Sequence, residues 1–261
     1  MGQVFIKLPG CSAAVTLRKL ARMEIEGKRI LITGASRGLG RTLVNTFVDA
    51  GASEVIAGAR KREDREALTS ERVTPVRLDV TSERDVEALA NTGAIDILIN
   101  NAGVAGFGNP LTMDFATVQE EIAVNYFGVL RVTRAVAPAM IAQRDGVIVN
   151  VATAFAKVNL PIVGTYCATK AALLSLGQAL RAYLSEHNVR VITVMPTTID
   201  TDMSKGADVP KMSKEFVAAE ILAAIREERH DPAIGDEAKG MFESLSKDAL
   251  GLERSLQDYR M

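Results

Sequence analysis

Residues 29–40 read Arg29-Ile30-Leu31-Ile32-Thr33-Gly34-Ala35-Ser36-Arg37-Gly38-Leu39-Gly40. Arg29 to Thr33 is a short, mostly β-branched and apolar run of strand length, and Leu43, Val44, Phe47 and Val48 beyond it recur with the spacing of one helix face. Between them the glycines let the chain turn tightly and bring backbone N–H groups against a phosphate, to which the helix start at Gly40 adds a favourable dipole. A glycine pattern alone is ambiguous. Its position between a strand and a helix is the context that gives it meaning.

The alternation continues outward from that unit. Strands are predicted at Glu54–Ala59, Val73–Leu78, Ile95–Asn100, Gly146–Val151 and Val189–Met195, most of them rich in apolar residues and most separated by helical patterns. Strands alternating with helices imply right-handed crossovers and a parallel sheet buried on both faces. The expected fold is therefore α/β: a single doubly wound, Rossmann-type parallel sheet with helices on both faces. No Pro-, Gly- or Ser-rich linker, repeat or low-complexity tract divides it. Beyond Pro196 the pattern loosens over Asp200 to Pro210, as suits a lid, and then predicts a helix over Ser213–Arg229, a short edge strand at Ala233-Ile234-Gly235, a helix over Glu237–Leu250 and a charged tail. Residues 1–22 carry Lys7, Arg18, Lys19 and Arg22, no acid and no pattern leading into the first strand, and are read as an extension that the fold does not need. Residues 23–261 are read as one Rossmann-type domain.

Composition bounds the partners. A net charge of −1, no tryptophan and no basic-aromatic clusters argue against nucleic acid and leave a small molecule as the natural ligand. Two cysteines, Cys11 and Cys167, make no disulfide framework and point to a reducing, cytoplasmic compartment. Apolar runs are strand-sized, so no membrane span or membrane partner is expected. Cys167 reads as a packed thiol, His187 as a helix C-terminal residue and His230 as a residue before a turn; no metal site is expected.

A second stretch, Thr165-Tyr166-Cys167-Ala168-Thr169-Lys170, lies in an apolar helical run. Side chains at i and i+4 are neighbours on a helix, so Lys170 reaches towards the Tyr166 hydroxyl and favours its ionised form. Such a tyrosine exchanges protons with an alcohol or carbonyl near neutral pH. On spacing alone a core tyrosine beside a solvated lysine is the better explanation of the pair. Gly34, the run Asn100-Asn101-Ala102-Gly103, Thr153 and Pro196 fall at the carboxyl ends of the first, fourth, fifth and sixth strands, where an open parallel sheet binds its ligand. With Tyr166 and Lys170, this order of motifs resembles the short-chain dehydrogenase/reductase family from about Arg29 to Gly235.

The resemblance implies a role for each matching position. The turn from Thr33 through Gly34, Ser36, Arg37, Gly38, Leu39 and Gly40 would hold a cofactor pyrophosphate, and Asp79 with Val80 would meet the adenine. Asn101, Ala102 and Gly103 would steady the sheet and lie along the cofactor, with Pro196 at its nicotinamide side and Thr201 on its carboxamide. Tyr166 would be the proton donor and Lys170 would bind the nicotinamide ribose and lower the tyrosine's pKa. Asn125 would support a water relay to that lysine. Asp79 as a turn former and Asn125 as a locally bonded helix residue are the plainer alternatives.

Two positions depart from the family pattern. Thr153 stands where the catalytic serine falls; it keeps a hydroxyl donor but adds a methyl that restricts its rotation. Thr197 replaces the glycine that usually follows the proline, narrowing the approach to the nicotinamide. At the end of the second strand Ala59 occupies the place of the acid that NAD-preferring folds use, and Arg60, with Arg37, offers a grip on a 2′-phosphate, so NADP(H) is the expected cofactor. The expected activity is interconversion of a carbonyl and an alcohol by hydride transfer with Tyr166 as acid/base; the alternative is an NADP(H)-binding sensor or interaction protein with little or no turnover. Val104 to Gly108, Ala154 to Pro161 and Met203 to Met212 are the expected pocket walls, mainly small or apolar, with Lys157 read as a solvated charge. The helix predicted over Gly164–Glu186 carries more apolar surface, through Ala168, Ala171, Ala172, Leu173, Leu176 and Ala179, than one sheet contact uses. A homodimer or homotetramer is expected, and light scattering that returns a concentration-independent monomer would refute it.

Overall fold

Strand β1 (Arg29–Ile32) sends alternate residues to opposite cores, as a strand covered on both faces must. Ile30 and Ile32 join one apolar cluster and Leu31 the other. In the computed structural model, which describes residues 23–257, β1 pairs in parallel with β2 (Glu54–Ala59), and β2 with β3 (Val73–Arg77). On its other side β1 pairs with β4 (Ile97–Asn100), followed by β5 (Gly146–Val151), β6 (Val189–Pro196) and β7 (Ala233–Ile234). The same alternation recurs in β4 and β5, where Ile97, Ile99, Val147 and Val149 face one core and Leu98 and Ile148 the other. The result is a seven-stranded, wholly parallel sheet in the order β3-β2-β1-β4-β5-β6-β7. Strand order reverses between β1 and β4, which opens a crevice at their carboxyl ends.

Helices α1 (Gly38–Asp49) and α7 (Lys214–Arg226) cover one face, contributing Leu43, Val44 and Phe47, and Val217, Ile221 and Ile225. Short α2 (Arg62–Glu66) follows β2 and buries no side chain. The opposite face takes α3 (Glu83–Glu87), through Val86, and a long helical run. That run consists of α4 (Phe115–Ile122), a π-turn over Ala123–Gly128, and α5 (Val129–Gln143), which ends where Arg144 turns left-handed at φ 53°. Helix α6 (Gly164–Leu184) lies against β6 with no room to spare: a Cβ on Gly177 would fall far inside contact with the buried Thr193 hydroxyl. This close approach fixes the height of α6, and so of Tyr166 and Lys170, over the sheet.

After β7 come α8 (Gly235–Lys247) and α9 (Ala249–Ser255). The expected single helix over Glu237–Leu250 is thus two, because Asp248 leaves the helical conformation and accepts the Gly251 N–H (2.9 Å) to start a new one. Helix α8 docks Phe242 beside Leu173, Leu174 and Met195, and part of the expected tail is helical in α9. The extension read over residues 1–22 and the last residues of the tail, 258–261, lie outside the described residues. Among the described residues no helix is long and apolar enough to cross a membrane.

Candidate active site

Two turns meet at the crevice, and Thr33 joins them. Its buried hydroxyl accepts the N–H groups of Asn101 and Ala102 (3.0 Å each) and lies 3.4 Å from the Ile99 carbonyl, to which it donates. Asn101 returns the link, its amide donating to the carbonyls of Thr33 (3.0 Å) and Gly34 (3.1 Å). Only glycine fits the turn at two of its points. Gly34 has φ +65° and a Cβ there would sit 2.9 Å from Ala102 Cα, while a Cβ on Gly40 would drive into the Gly34 carbonyl. Helix α1 begins with no side-chain cap and no acid in its first turn, so its N–H groups and positive dipole end are left for an external anion. A pyrophosphate fits that donor set. Beside Gly38, a cavity of about 310 Å³ is lined by Asp200, Thr201, Asp202, Lys205, Gly206, Lys211 and Lys214. Sequence reading placed Lys205 and Lys211 in an expected pocket wall and gave Lys214 no role; the three become neighbours only when the segment after Pro196 folds over the glycine turn.

At the neighbouring strand ends, α6 delivers Tyr166 and Lys170. Lys170 is only 4% exposed. Its ammonium donates to the Val151 carbonyl (2.8 Å) at the end of β5 and lies 5.6 Å from the Tyr166 ring centroid. Asn125, fully buried in the π-turn, accepts from Val104 N–H (3.0 Å) and donates to the Val104 carbonyl and the Thr169 hydroxyl (2.9 Å each). Its bonds therefore reach a distant segment and the catalytic-helix candidate, unlike a locally satisfied helix asparagine. Thr169, unremarked in the sequence, passes its own proton to the Tyr166 carbonyl (2.7 Å). Thr153 is buried below these groups and its hydroxyl donates to the Pro196 carbonyl (3.0 Å), which ties the ends of β5 and β6 together. The expected open donor is thus engaged within the chain.

Several expected roles look different in three dimensions. Arg60 and Arg37 are exposed at the crevice rim, but Arg37 pairs with Asp202 at 3.4 Å. Asp79 is a turn former: its carboxylate accepts from the Thr81 N–H (2.9 Å) and hydroxyl (2.7 Å). Burial pushes this carboxyl up, but those two hydrogen bonds together with Arg60 and Arg77 hold it below the usual range. Neighbouring Val80 is buried against Gly128 of the π-turn. Lys157 is exposed, as a solvated charge would be, with its ammonium 4.1 Å over the Phe242 ring. Thr197 turns its hydroxyl to the Glu237 carboxylate on α8 (2.6 Å). Of the expected pocket walls, Val104 to Gly108 lies beside Asn125, with the Gly108 N–H bonded to the Ile162 carbonyl (2.9 Å), whereas Met212 packs against the main core and not the crevice. Cys167 is buried, and among the described residues no cluster of His, Cys, Asp and Glu is placed to hold a metal ion.

The electrostatics correct one expectation outright. The net shift of the Tyr166 phenol is upward: burial pushes it up, with repulsion from Cys167 and Glu121 adding to it, and the neighbouring Lys170 does not reverse that. Burial also depresses Lys170, to about 8. Pairing across a helix turn cannot offset the loss of water that both groups suffer. Between that value and the ordinary lysine range the unfolded chain holds a proton that the folded chain does not, so folding should gain stability as pH rises through this window. Urea midpoints at pH 8 and about 9, where free tyrosine is still mostly protonated, should therefore rise with pH more steeply in the unmodified protein than in Lys170→Met; parallel slopes would contradict the buried lysine.

Comparison with known proteins agrees with this geometry. The sequence profile described as short chain dehydrogenase matches residues 28–211. The chain is 31% identical over 260 residues to a dehydrogenase/reductase SDR family protein 7-like of Anopheles gambiae, spanning 86% of this chain and 82% of that one. It is 38% identical over 192 residues to L-xylulose reductase of Cavia porcellus, spanning 70% and 76%. A crystal structure of a short chain dehydrogenase from Burkholderia cenocepacia J2315 in complex with NADP superposes with a TM-score of 0.86 at 37% identity, covering 90% of this chain and 99% of that one. A glycine turn locked to the end of β4, a buried lysine behind a tyrosine, and matches over most of the chain lead to one assignment: this protein belongs to the short-chain dehydrogenase/reductase family of oxidoreductases.

Proposed function

We propose that the protein is an NADP(H)-dependent oxidoreductase that reduces a small carbonyl compound to an alcohol, or the reverse, with Tyr166 as acid/base. The observation that carries this reading is the buried Lys170 ammonium held at the end of β5, 5.6 Å from the Tyr166 ring, with β4 between it and the strand that leads into the glycine turn. When bound, the nicotinamide dinucleotide supplies the hydride chemistry. The chain supplies the proton and the placement. A phenol whose pKa is raised keeps its proton at neutral pH, as a donor to a developing alkoxide must. Lys170, protonated below about pH 8, then stabilises the phenolate left behind. Thr153 exchanges the Pro196 carbonyl for the substrate oxygen and donates to it. Asn125 and Thr169 hold the start of α6 against Val104 and connect the lysine's surroundings to the wall segment. The small residues from Gly103 to Gly108 suit a modest substrate, and the likeness to L-xylulose reductase favours a carbonyl of that size. Exposed Ala168, Ala171 and Ala179 on α6 support assembly of the protein as a homodimer or homotetramer.

NADP(H) is favoured over NAD(H) because Ala59 removes the acid that would repel a 2′-phosphate and Arg60 stands at the rim; the related Burkholderia protein carries NADP. The Arg37–Asp202 pair does not oppose this. Both partners are more than half exposed, so their attraction contributes only about 0–1 kcal/mol. A phosphate offers Arg37 a stronger, forked hydrogen-bonding partner. Steady-state rates should be higher with NADPH than with NADH, and Arg60→Glu should erase or invert the preference. Equal use of both cofactors by the unmodified protein would sink this assignment.

The catalytic roles are separable from cofactor binding. Thr153→Val removes a donor without much change of shape and should lower turnover roughly 10²–10³-fold, as for loss of an oxyanion donor. Thr153→Ser should stay active. Tyr166→Phe should abolish carbonyl-dependent NADPH oxidation, while NADPH affinity, read by quenching or calorimetry, stays nearly constant in all three variants. An unmodified protein that binds NADPH yet oxidises it with no member of an aldehyde and ketone panel would overturn the enzyme reading, and full activity in Thr153→Val would remove the role given to that hydroxyl.

A further inference from the structure

Glu121 has no part in the roles assigned above, yet it is fully buried at the edge of the site. It lies one helical turn before Asn125 in the run formed by α4 and the π-turn. Asn125 grips Val104 through both its N–H and its carbonyl; Glu121 Oε1 accepts the N–H of Gly106 at 2.6 Å. Four residues along a helix advance about 6 Å, and two residues along an extended segment about 6.6 Å. Successive side chains on one helix face therefore match alternate residues of the wall segment, and the helix serves it as a neighbouring strand would. The space around the clamp is filled. A Cβ on Gly106 would sit 2.6 Å from Thr117 Cγ2 and 3.2 Å from Met113 Sδ. Met113 Sδ in turn accepts from the hydroxyl of Thr165 (3.4 Å), the residue before Tyr166.

We propose that Glu121 is a positioning residue of this active site: it fixes the wall at Gly106 as Asn125 fixes it at Val104, and so sets where a substrate carbonyl rests against Tyr166. The inference depends on the role proposed for Tyr166 only in its last step. Clamping alone needs one acceptor, which a glutamine would also provide. The acid carries a second oxygen, Oε2, buried with no hydrogen-bond partner among the described residues. What it adds is repulsion against ionisation of its neighbours, in the same direction for Tyr166 and Cys167. The charged and titratable groups bearing on Tyr166 are Cys167 and Lys170 from α6 and Glu121 from α4; Thr153 and Asn125 are neutral. In reduction Tyr166 must hold its proton. Removing the repulsion weakens that hold, so the limb on which reduction declines moves towards lower pH.

The test compares the unmodified protein with Glu121→Gln and Glu121→Leu in NADPH-dependent carbonyl reduction across pH, and in amide hydrogen exchange at Gly106 and Val104. Glu121→Leu should raise KM about tenfold or more, as for loss of a hydrogen bond to a charged group, and speed exchange at Gly106 by a similar factor while Val104 stays protected. Glu121→Gln should keep KM within about twofold and keep Gly106 protected, since one acceptor remains, but shift the pH limb downward. Unchanged Gly106 exchange in Glu121→Leu, or a Glu121→Gln that raises KM as much as leucine does, overturns the clamp. A pH limb that stays in place in Glu121→Gln overturns the electrostatic part. If the leucine variant does not fold, the glutamine variant still decides through its pH limb and KM. If the unmodified protein reduces no carbonyl, the function proposed above has failed, and the exchange measurement still decides whether Glu121 holds the wall.

Discussion

A single hydroxyl, that of Thr33, accepts two backbone N–H groups from the far side of the crevice, and much of the site depends on it. Beyond their last paired residues β1 and β4 must diverge, because the chain leaves one into a glycine turn and the other into the Asn101–Gly103 turn. Divergence leaves N–H groups without ladder partners, and such groups are costly when shielded from water. Thr33 satisfies two of them and Asn101 answers with two donations to the glycine turn. The switch point of the sheet is thereby held at a set width. Neither the first turn of α1 nor the floor of the crevice has a side chain to move aside, so the anion site is formed by the backbone before any ligand arrives.

The opposite wall is built by different means. Gly103 to Gly108 has left the sheet and cannot draw on strand pairing, so its polar groups are met by side chains from the α4–α5 run. The π-turn over Ala123–Gly128 coincides with this demand: it lies where Asn125 must reach both Val104 and Thr169, and where Gly128 lets the run approach Val80. Irregular helical turns of this kind occur often at functional sites. The Val104–Gly108 side of the crevice is thus positioned by side chains and the glycine-turn side by backbone.

That difference explains what could be read from the residues alone. The sheet was legible because alternating apolar strands and glycine-ended turns are local signals; Glu54–Ala59 and Gly146–Val151 fall where expected, and β4 begins two residues late, after Asp96, whose carboxylate accepts the Arg29 N–H. Tyr166, Lys170 and Asn125 were legible by resemblance and do converge. Thr33 as a bridge, Glu121 as a clamp and the lysines at 205, 211 and 214 were not, since each acquires its meaning from partners far away in sequence. The break at Asp248 had a local cue, an Asp three residues before a Gly, that a helical pattern masked. The sign of the Tyr166 shift failed for another reason: spacing reveals a neighbouring charge but not how much water is lost.

Loss of water is also what makes the pair useful. In solvent a lysine remains charged and a tyrosine remains protonated far above neutral pH, and neither responds to the other strongly. With Tyr166 partly and Lys170 almost fully buried, both are shifted towards their neutral forms, Lys170 to about 8, so near neutral pH the charged and uncharged lysine lie close in free energy while the phenol keeps its proton. A further positive charge or a hydrogen-bonding oxygen brought to Tyr166 acts in the same low-dielectric surroundings and is felt at nearly full strength. The site is therefore set so that the ligands themselves complete the shift the residues leave unfinished. A tyrosine ionised in advance would have lost the proton that a carbonyl needs, and burial makes this one part with it less readily than a phenol in water, which is the shift left for a ligand to reverse.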